Sequence, residues 1–427
     1  MINRLIDFLN ESPVNFLAVA ATAKRLEAAG YRRIDLLTND ASQLAQLQPG
    51  EKVYVTKNDS SIFAFHMGRK PLSEAGFRII CAHCDSPTFR IKPNAEMYCE
   101  GGLLRLNTEV YGGPILSTWF DRPLSLAGRV ILRGEDAMHP ITRLLFVRRP
   151  LLIIPNLAIH FNRAVNDGVK INRQSDVLPL MLLSDEEALN QKEPWLTRVI
   201  MDELNVEANH ILDADLYLYD CQAPSLVGET LISAGRLDDL SMVHAALEAL
   251  VAHEHEVPET TRIMAIFDNE ETGSQTKQGA GSPFLANILR TMSGGGFVSA
   301  IEHSFMISAD NAHAWHPNYS GKYDPTNHPV LGGGPVIKFN AAQKYASDAV
   351  SAAVFASICE EAGVPCQRFV NHSEVAGGST LGNILASSLP LRGVDMGNGV
   401  LAMHSCRELA SVADHNYCIR AFTHFYK

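Results

Sequence analysis

From Ser233 onward, apolar runs of strand length alternate with runs of helical spacing: LDDLSMVHAALEALVAHE, TRIMAIFDNEE, SFMISAD and KYASDAVSAAVFASICEEAG follow one another. A parallel pair of strands needs a crossover, and a helix is the compact way to make one, so this alternation predicts an α/β fold, an α/β/α sandwich around a mostly parallel sheet. Residues that act on a ligand are then expected at the carboxyl ends of the strands. The stretch from about Arg90 to Val227 differs. It holds short strand-like runs (LLRLNTEVYGG, LSLAGRVILRG, LLIIPNLAIHF, ADLYLYD) and one helical pattern, roughly Asp185 to Asn205. This predicts an inserted β-rich domain over residues 90–229, with residues 1–89 and 230–427 forming the two parts of the α/β domain. Just before the insert, FRIICAHCDSPTFRIKP reads as strand, a turn at Ser86-Pro87, and strand.

Composition removes several function classes. Lys and Arg number 36 against 47 Asp and Glu, a net charge of −11 that argues against a nucleic-acid partner and suits solubility or cation binding. No run approaches the roughly eighteen uninterrupted apolar residues of a membrane span. The N-terminal MINRLIDFLNESPVNFLAVAATAKRLEAAGY places apolar residues at helical spacing with charges between them, an amphipathic helical pattern rather than a signal peptide. A cytoplasmic location is expected. Eight scattered cysteines, without the spacing of a small disulfide-bonded domain, are expected to be free thiols, and Cys81-x-x-Cys84 to be core packing because Cys81 falls inside an apolar run.

The chemistry gathers where apolar runs end. Glu270 and Glu271 follow IMAIF; adjacent buried carboxylates repel unless a cation neutralises them, although an isolated Glu-Glu is more often a solvated turn. Four other segments repeat the pattern. AHCDS places His83 and Asp85 two apart, on one face of a continuing strand, so that Asp85 can orient the imidazole. GRLDDL leads into a helix with Asp238 and Asp239, for which, taken alone, an N-cap is a commoner role than a ligand. ISADNAHAWHP ends a run with Asp310 and then offers His313 and His316, and GVLAMHSCRE ends one with His404. Oxygen and nitrogen donors of this kind suit a pair of divalent ions such as zinc, which activate water and polarise a carbonyl while a neighbouring carboxylate takes the proton.

Taken in order, AHCDSP, AIHFNR, GRLDDL, DNEETGS, SADNAHAWHPNY, GPVIKFNAAQKYASD, GGSTLG and MHSCRE make the chain resemble, nearly end to end, the aspartyl aminopeptidase family of zinc metallopeptidases, in its bacterial cytoplasmic branch. The resemblance implies two zinc ions per subunit held by His83, Asp238, Glu271, Asp310 and His404, with Asp238 bridging. It implies Glu270 as general base and Asp85 as the acid orienting His83. Lys338 in VIKFN is implied as the cation that meets an acidic substrate side chain, with His313 a second pocket residue; alone, Lys338 reads as an ordinary exposed lysine. The resemblance further implies that the β-rich insert makes a dimer, that His160 of AIHFNR reaches into the partner's site, and that dimers assemble into a tetrahedral dodecamer. Expected substrates are peptides losing an N-terminal residue, with Asp or Glu preferred. Asp239 stands where the family commonly has Asn and adds negative charge, which leaves a preference for neutral residues open. A two-metal hydrolase of another class, such as a phosphoesterase, is kept open by Arg236 and Arg407.

Overall fold

The computed structural model describes residues 1–37, 41–183 and 191–427. The chain divides into two compact units, one comprising Met1–Asp85, Pro224–Met403 and Glu408–Lys427, the other Ser86–Ala223 and His404–Arg407. The crossings lie at residues 85/86 and 223/224, where the sequence pattern had suggested 89/90 and 229/230, and the short return at 404–407 has no counterpart in that pattern.

The first unit is built on a nine-stranded sheet. Its order is Arg32–Arg33, Lys52–Lys57, Ser61–His66, Thr261–Phe267, Phe77–His83, Phe305–Ala309, Arg392–Gly397, Val336–Phe339, Gln367–Val370. The four strands Thr261–Phe267, Phe77–His83, Phe305–Ala309 and Arg392–Gly397 run parallel, and antiparallel pairs lie on either side of them. Alternate residues feed different cores, as a side-chain period of two requires. Ile80, Ala82, Met264 and Ile266 face a core containing Phe8, Leu240, Val243, Phe355 and Phe422; Ile79, Cys81, Ile263 and Ala265 face another containing Leu285, Leu289, Leu381 and Leu385. Helices therefore cover both faces. All seven residues of Thr261–Phe267 are buried, and each large apolar side chain there contributes about 1.5–3 kcal/mol. A five-stranded sheet, Ser225–Val227, Leu231–Ala234, Glu408–Ser411, Gly399–Leu401, Ala312–His313, completes this unit.

The second unit is a six-stranded antiparallel sheet, in the order Ile141–Phe146, Leu124–Leu132, Ile211–Asp220, Thr88–Cys99, Leu103–Tyr111, Leu180–Leu183. Phe89, Leu106, Leu126, Leu216 and Leu218 form its core with Trp119 and with Val199 and Ile200 of the helix Trp195–Leu204. Part of the expected helical pattern from Asp185 lies outside the described residues.

Three expectations need correcting. LLIIPNLAIHF is not a strand: Leu152 and Ile153 make only isolated bridges. Pro155 lacks the N–H that a ladder requires, and beyond it the chain runs exposed. The helical pattern at the N-terminus is two helices, Ile2–Glu11 and Asn15–Ala28, parted at Ser12-Pro13. The helix expected from Lys344 begins at Ala349, because Asp348 caps it, its carboxylate accepting the Ser351 N–H at 2.7 Å while the Ser351 hydroxyl accepts the Asp348 N–H at 3.0 Å.

Candidate metal centre

Sheet register brings the strand ends together. Phe267 lies opposite His83 and Ser308 opposite Cys81, so the residues that follow each strand leave the sheet at one edge. Beyond Phe267 the chain turns sharply at Asn269, whose backbone is left-handed (φ 60°). The Asn269 carbonyl accepts the Thr272 and Ser274 N–H groups, and its side-chain oxygen accepts bonds from Thr276 and Gln278, both at 2.8 Å. Glu270–Thr272 is thereby held as a single tight turn.

Asp85 fastens that turn to His83. Its two carboxylate oxygens accept the Glu270 N–H at 3.0 Å and the Glu271 N–H at 3.1 Å. One of them also lies 3.4 Å from His83 Nδ1, which is 3.1 Å from the Asp85 carbonyl as well. Acceptors on that side favour the proton on Nδ1 and leave the Nε2 lone pair for a ligand. Nε2 faces Asp238 at 3.8 Å and Glu270 at 4.0 Å.

Asp238 and Asp239 open the buried helix Leu237–Val251 with non-helical backbone angles and a cis peptide bond between them. The N-cap position is Arg236, so neither aspartate occupies it. The Asp238 N–H donates to Glu408 at 3.0 Å, and Asp239 accepts the His83 N–H at 3.1 Å. Asp310 follows the strand Phe305–Ala309. Its carboxylate lies 3.2 Å from Lys338 Nζ, which also donates to the Asn311 carbonyl at 3.1 Å. Lys338 is thus a buried cation rather than an exposed lysine. Burial alone would lower its pKa, but Asp310, Tyr345 and Asp395 outweigh that and hold it raised.

Ligand atoms of His83, Glu270 and Glu271 lie within 4.8 Å of one another, as do those of His83, Asp238 and Asp310. Asp85, Asp238, Asp239, Glu270, Glu271 and Asp310 crowd this edge, and Lys338 pairs with Asp310. The strain is visible in their titration. Burial, opposed by His83 and reinforced by Asp310, Glu271 and Asp85, pushes Glu270 up to about 9. Asp239 is likewise driven well up by burial, against the pull of His83. For His83 itself burial would lower the pKa, but Asp85, Asp239 and Glu270 more than reverse it. Divalent cations relieve this excess of negative charge, and a carboxylate and imidazole donor set fits zinc.

His404 groups with the second unit, its Nδ1 3.1 Å from the Gly113 carbonyl. His160 also lies in that unit, exposed between Ile159 and Phe161. His313 is exposed and meets Phe369 edge-on at 6.1 Å, in a pocket of about 330 Å³ lined also by His316, Tyr323, Asn371 and His372. Two contributors escaped the sequence reading. Glu408 ends the motif MHSCRE and holds the Asp238 amide; it opens an apolar strand, the mirror of the strand-end signal that picked out Glu270. Asn311 donates to the Leu237 carbonyl at 2.8 Å and so ties the Asp310 segment to the helix start.

A family described as aminopeptidase I zinc metalloprotease (M18) matches residues 8–426. The chain belongs to the M18 family. It is 48% identical over 432 residues to a probable M18 family aminopeptidase 2 of Clostridium novyi, covering 99% of this chain and 98% of that protein. A probable M18 family aminopeptidase 2 of Pseudomonas aeruginosa is 44% identical over 427 residues, covering 99% and 97%. Among solved structures, the cryo-EM structure of the Ape4 and Nbr1 complex superposes with a TM-score of 0.94 at 35% identity, covering 99% of this chain and 85% of that one. M18 membership makes this chain a metalloaminopeptidase, a hydrolase of a zinc-dependent family. Its mixed α/β architecture is the M18 fold.

Proposed function

We propose that this M18 chain is a dizinc aminopeptidase that removes the N-terminal residue of peptides and prefers Asp or Glu. The observation that carries the metal assignment is Asp85, which fixes His83 and the Glu270–Glu271 turn as one piece beside Asp238 and Asp310. His83, Asp238, Glu271 and Asp310 would hold the metal from that edge, and His404 is kept as a fifth ligand on family resemblance. Bound zinc supplies Lewis acidity toward water and the scissile carbonyl. Glu270 takes a proton from the attacking water as oxygen adds to the carbonyl carbon, and delivers it to the leaving amine nitrogen as the C–N bond breaks. Asp85 holds Glu270 at the distance this transfer requires.

Support for an acidic preference comes from Lys338. Two of its three N–H donors go to Asp310 and Asn311, which leaves one for a substrate carboxylate. Asp239 argues the other way, since its charge beside the metals opposes an acidic side chain, and it favours a neutral preference as the second reading. A phosphoesterase is less well supported, because Arg236 directs two nitrogens to the Leu9 and Ser12 carbonyls and Arg407 directs two to Gln222 and Ala223.

A homo-oligomer is part of the proposal, with residues 86–223 as the dimerisation unit. Leu157, Ile159 and Phe161, all exposed, surround His160 and suit burial by a second copy. A structure of the S. cerevisiae mApe1 dodecamer shares the fold, with a TM-score of 0.85 at 24% identity over 99% of this chain and 95% of that one. A dodecamer, and His160 of the partner subunit steadying the tetrahedral intermediate, rest in this reading on the family resemblance. Free thiols at all eight cysteines fit a cytoplasmic location.

The test is a panel of Asp, Glu, Leu and Ala aminoacyl substrates, run after chelation and after zinc add-back, on the native chain and on Lys338→Ala. Activity that returns with zinc and favours Asp and Glu is expected, with the preference lost in Lys338→Ala. An unchanged acidic-to-neutral ratio in that variant refutes the pocket, and activity indifferent to chelation refutes the metal centre.

A further inference from the structure

Arg262 begins the strand Thr261–Phe267, at the end remote from Glu270, and is 1% exposed. A buried guanidinium normally has a buried counter-charge or a full set of acceptors. Its Nε donates to the Tyr426 carbonyl. Its Nη2 lies 3.8 Å from Glu256, a carboxylate that is 62% exposed and already 3.0 Å from His253. Its Nη1 is buried without a partner.

Among the described residues no neighbour accepts a hydrogen bond from it. His66 stands directly opposite Arg262 in antiparallel register, and its Nδ1 is also buried without a partner. Tyr31 meets His66 edge-on, with ring centroids 6.3 Å apart, and its hydroxyl is a third buried atom without a partner. Lys52, opposite His66 on its other side, places Nζ 5.6 Å from the Tyr31 ring centroid and donates to the Ala29 and Glu254 carbonyls. The one carboxylate in ion-pair range of Arg262 among the described residues is Glu256, which is largely exposed and shared with His253. Burial, with Arg262, Lys52 and His253, presses the His66 pKa down to about 4, and burial holds Tyr31 protonated far above its usual range. Neither group can serve as the missing anion.

We propose that Arg262, Tyr31 and His66 enclose a binding site for a small monovalent anion of the chloride class. An occupant that only accepts hydrogen bonds satisfies the Arg262 Nη1–H, the Tyr31 O–H and, in the Nδ1–H tautomer, His66. A buried negative charge at Nη1 would meet the guanidinium directly, where the exposed Glu256 reaches only Nη2, at 3.8 Å; a water molecule satisfies the donors without adding charge. The three donor residues are only 1–3% exposed, so the occupant is held away from bulk solvent. The ion would lock the start of Thr261–Phe267 to the end of Ser61–His66 and to Tyr31, three residues past the second helix, so its effect falls on stability rather than on the metal centre.

Two measurements on the full chain decide the matter. Crystals grown in sodium bromide are expected to show an anomalous peak within hydrogen-bonding reach of Arg262 Nη1 and the Tyr31 hydroxyl. Thermal unfolding in chloride against gluconate at equal ionic strength is expected to show a saturable rise in Tm with chloride alone. Tyr31→Phe, which removes one donor, is expected to raise the chloride concentration for half-maximal stabilisation about tenfold, the equivalent of one hydrogen bond. Density that refines as water, absence of an anomalous peak, or equal stabilisation by gluconate overturns the proposal.

Discussion

Asp85→Asn is the most discriminating change at the metal centre, because it preserves shape and removes charge. The native carboxylate accepts two amides, from Glu270 and Glu271, and lies 3.4 Å from His83 Nδ1. Asparagine keeps one acceptor oxygen; its NH2 must face either an amide N–H or the imidazole N–H, donor against donor. At least one charge-assisted bond is lost, about 1.5–3 kcal/mol, and the His83 orientation with it. Losses of an acid that positions a metal-binding histidine run at roughly 10–100-fold in affinity, about 1.4–2.7 kcal/mol, so the two routes agree in size. Zinc competition against a chromophoric chelator should therefore show affinity reduced by about that factor. At saturating zinc a second effect should remain: kcat falls while KM changes little, since the loosened turn also carries Glu270. Unchanged zinc affinity together with unchanged kcat would refute the clamp, and a loss of zinc with full kcat after reloading would separate His83 orientation from control of the base.

Glu270→Gln should abolish turnover and leave zinc content nearly intact, measured by metal analysis beside an aminoacyl-anilide assay; retained activity removes Glu270 from the role of base. A third expectation concerns acid. His244 and His415 are buried together, Nδ1 to Nε2 at 3.0 Å, and burial presses His415 down to about 3 and His244 well below its usual value. Both are neutral in the folded chain and take up protons near 6.5 once unfolded, so their contribution is intact above that pH and is lost as pH falls toward the folded values. At pH 5 His415 alone costs about 2 kcal/mol relative to pH 7. Asp414, raised by burial to about 6, works in the opposite sense, so the comparison is with His415→Leu. Denaturant unfolding should show that variant losing less stability between pH 7 and pH 5 than the native chain, and parallel losses would count against the buried pair.

Strand ends are legible here because runs such as IICAH, IMAIF and MISAD carry apolar residues on both faces, as central parallel strands must, and then break into charge. The residue that joins those ends is harder to read. Asp85 lies two positions beyond His83, which local spacing reveals, whereas its grip on Glu270 and Glu271 spans 185 and 186 residues and depends on sheet register. Glu408 is missed for the same reason, 170 residues from the amide it holds. LLIIPNLAIHF misleads because composition alone suggests a strand, while a single proline denies it the ladder.

The central strand Thr261–Phe267 has a consequence for the chain as it is made. Its neighbours on both sides, Ser61–His66 and Phe77–His83, are synthesised long before it. Closing 178 residues between His83 and Thr261, rather than the roughly 30 of an ordinary crossover, costs only about 1.6 kcal/mol in loop entropy. Time is the larger penalty. At roughly 5–20 residues per second, the ribosome takes about 10 to 40 s to pass from His83 to Glu271. Through that interval two largely apolar strands, SIFAFH and FRIICAH, wait in the nascent chain for the partner that separates them, which makes chaperone demand during synthesis the cost of assembling this site from distant segments.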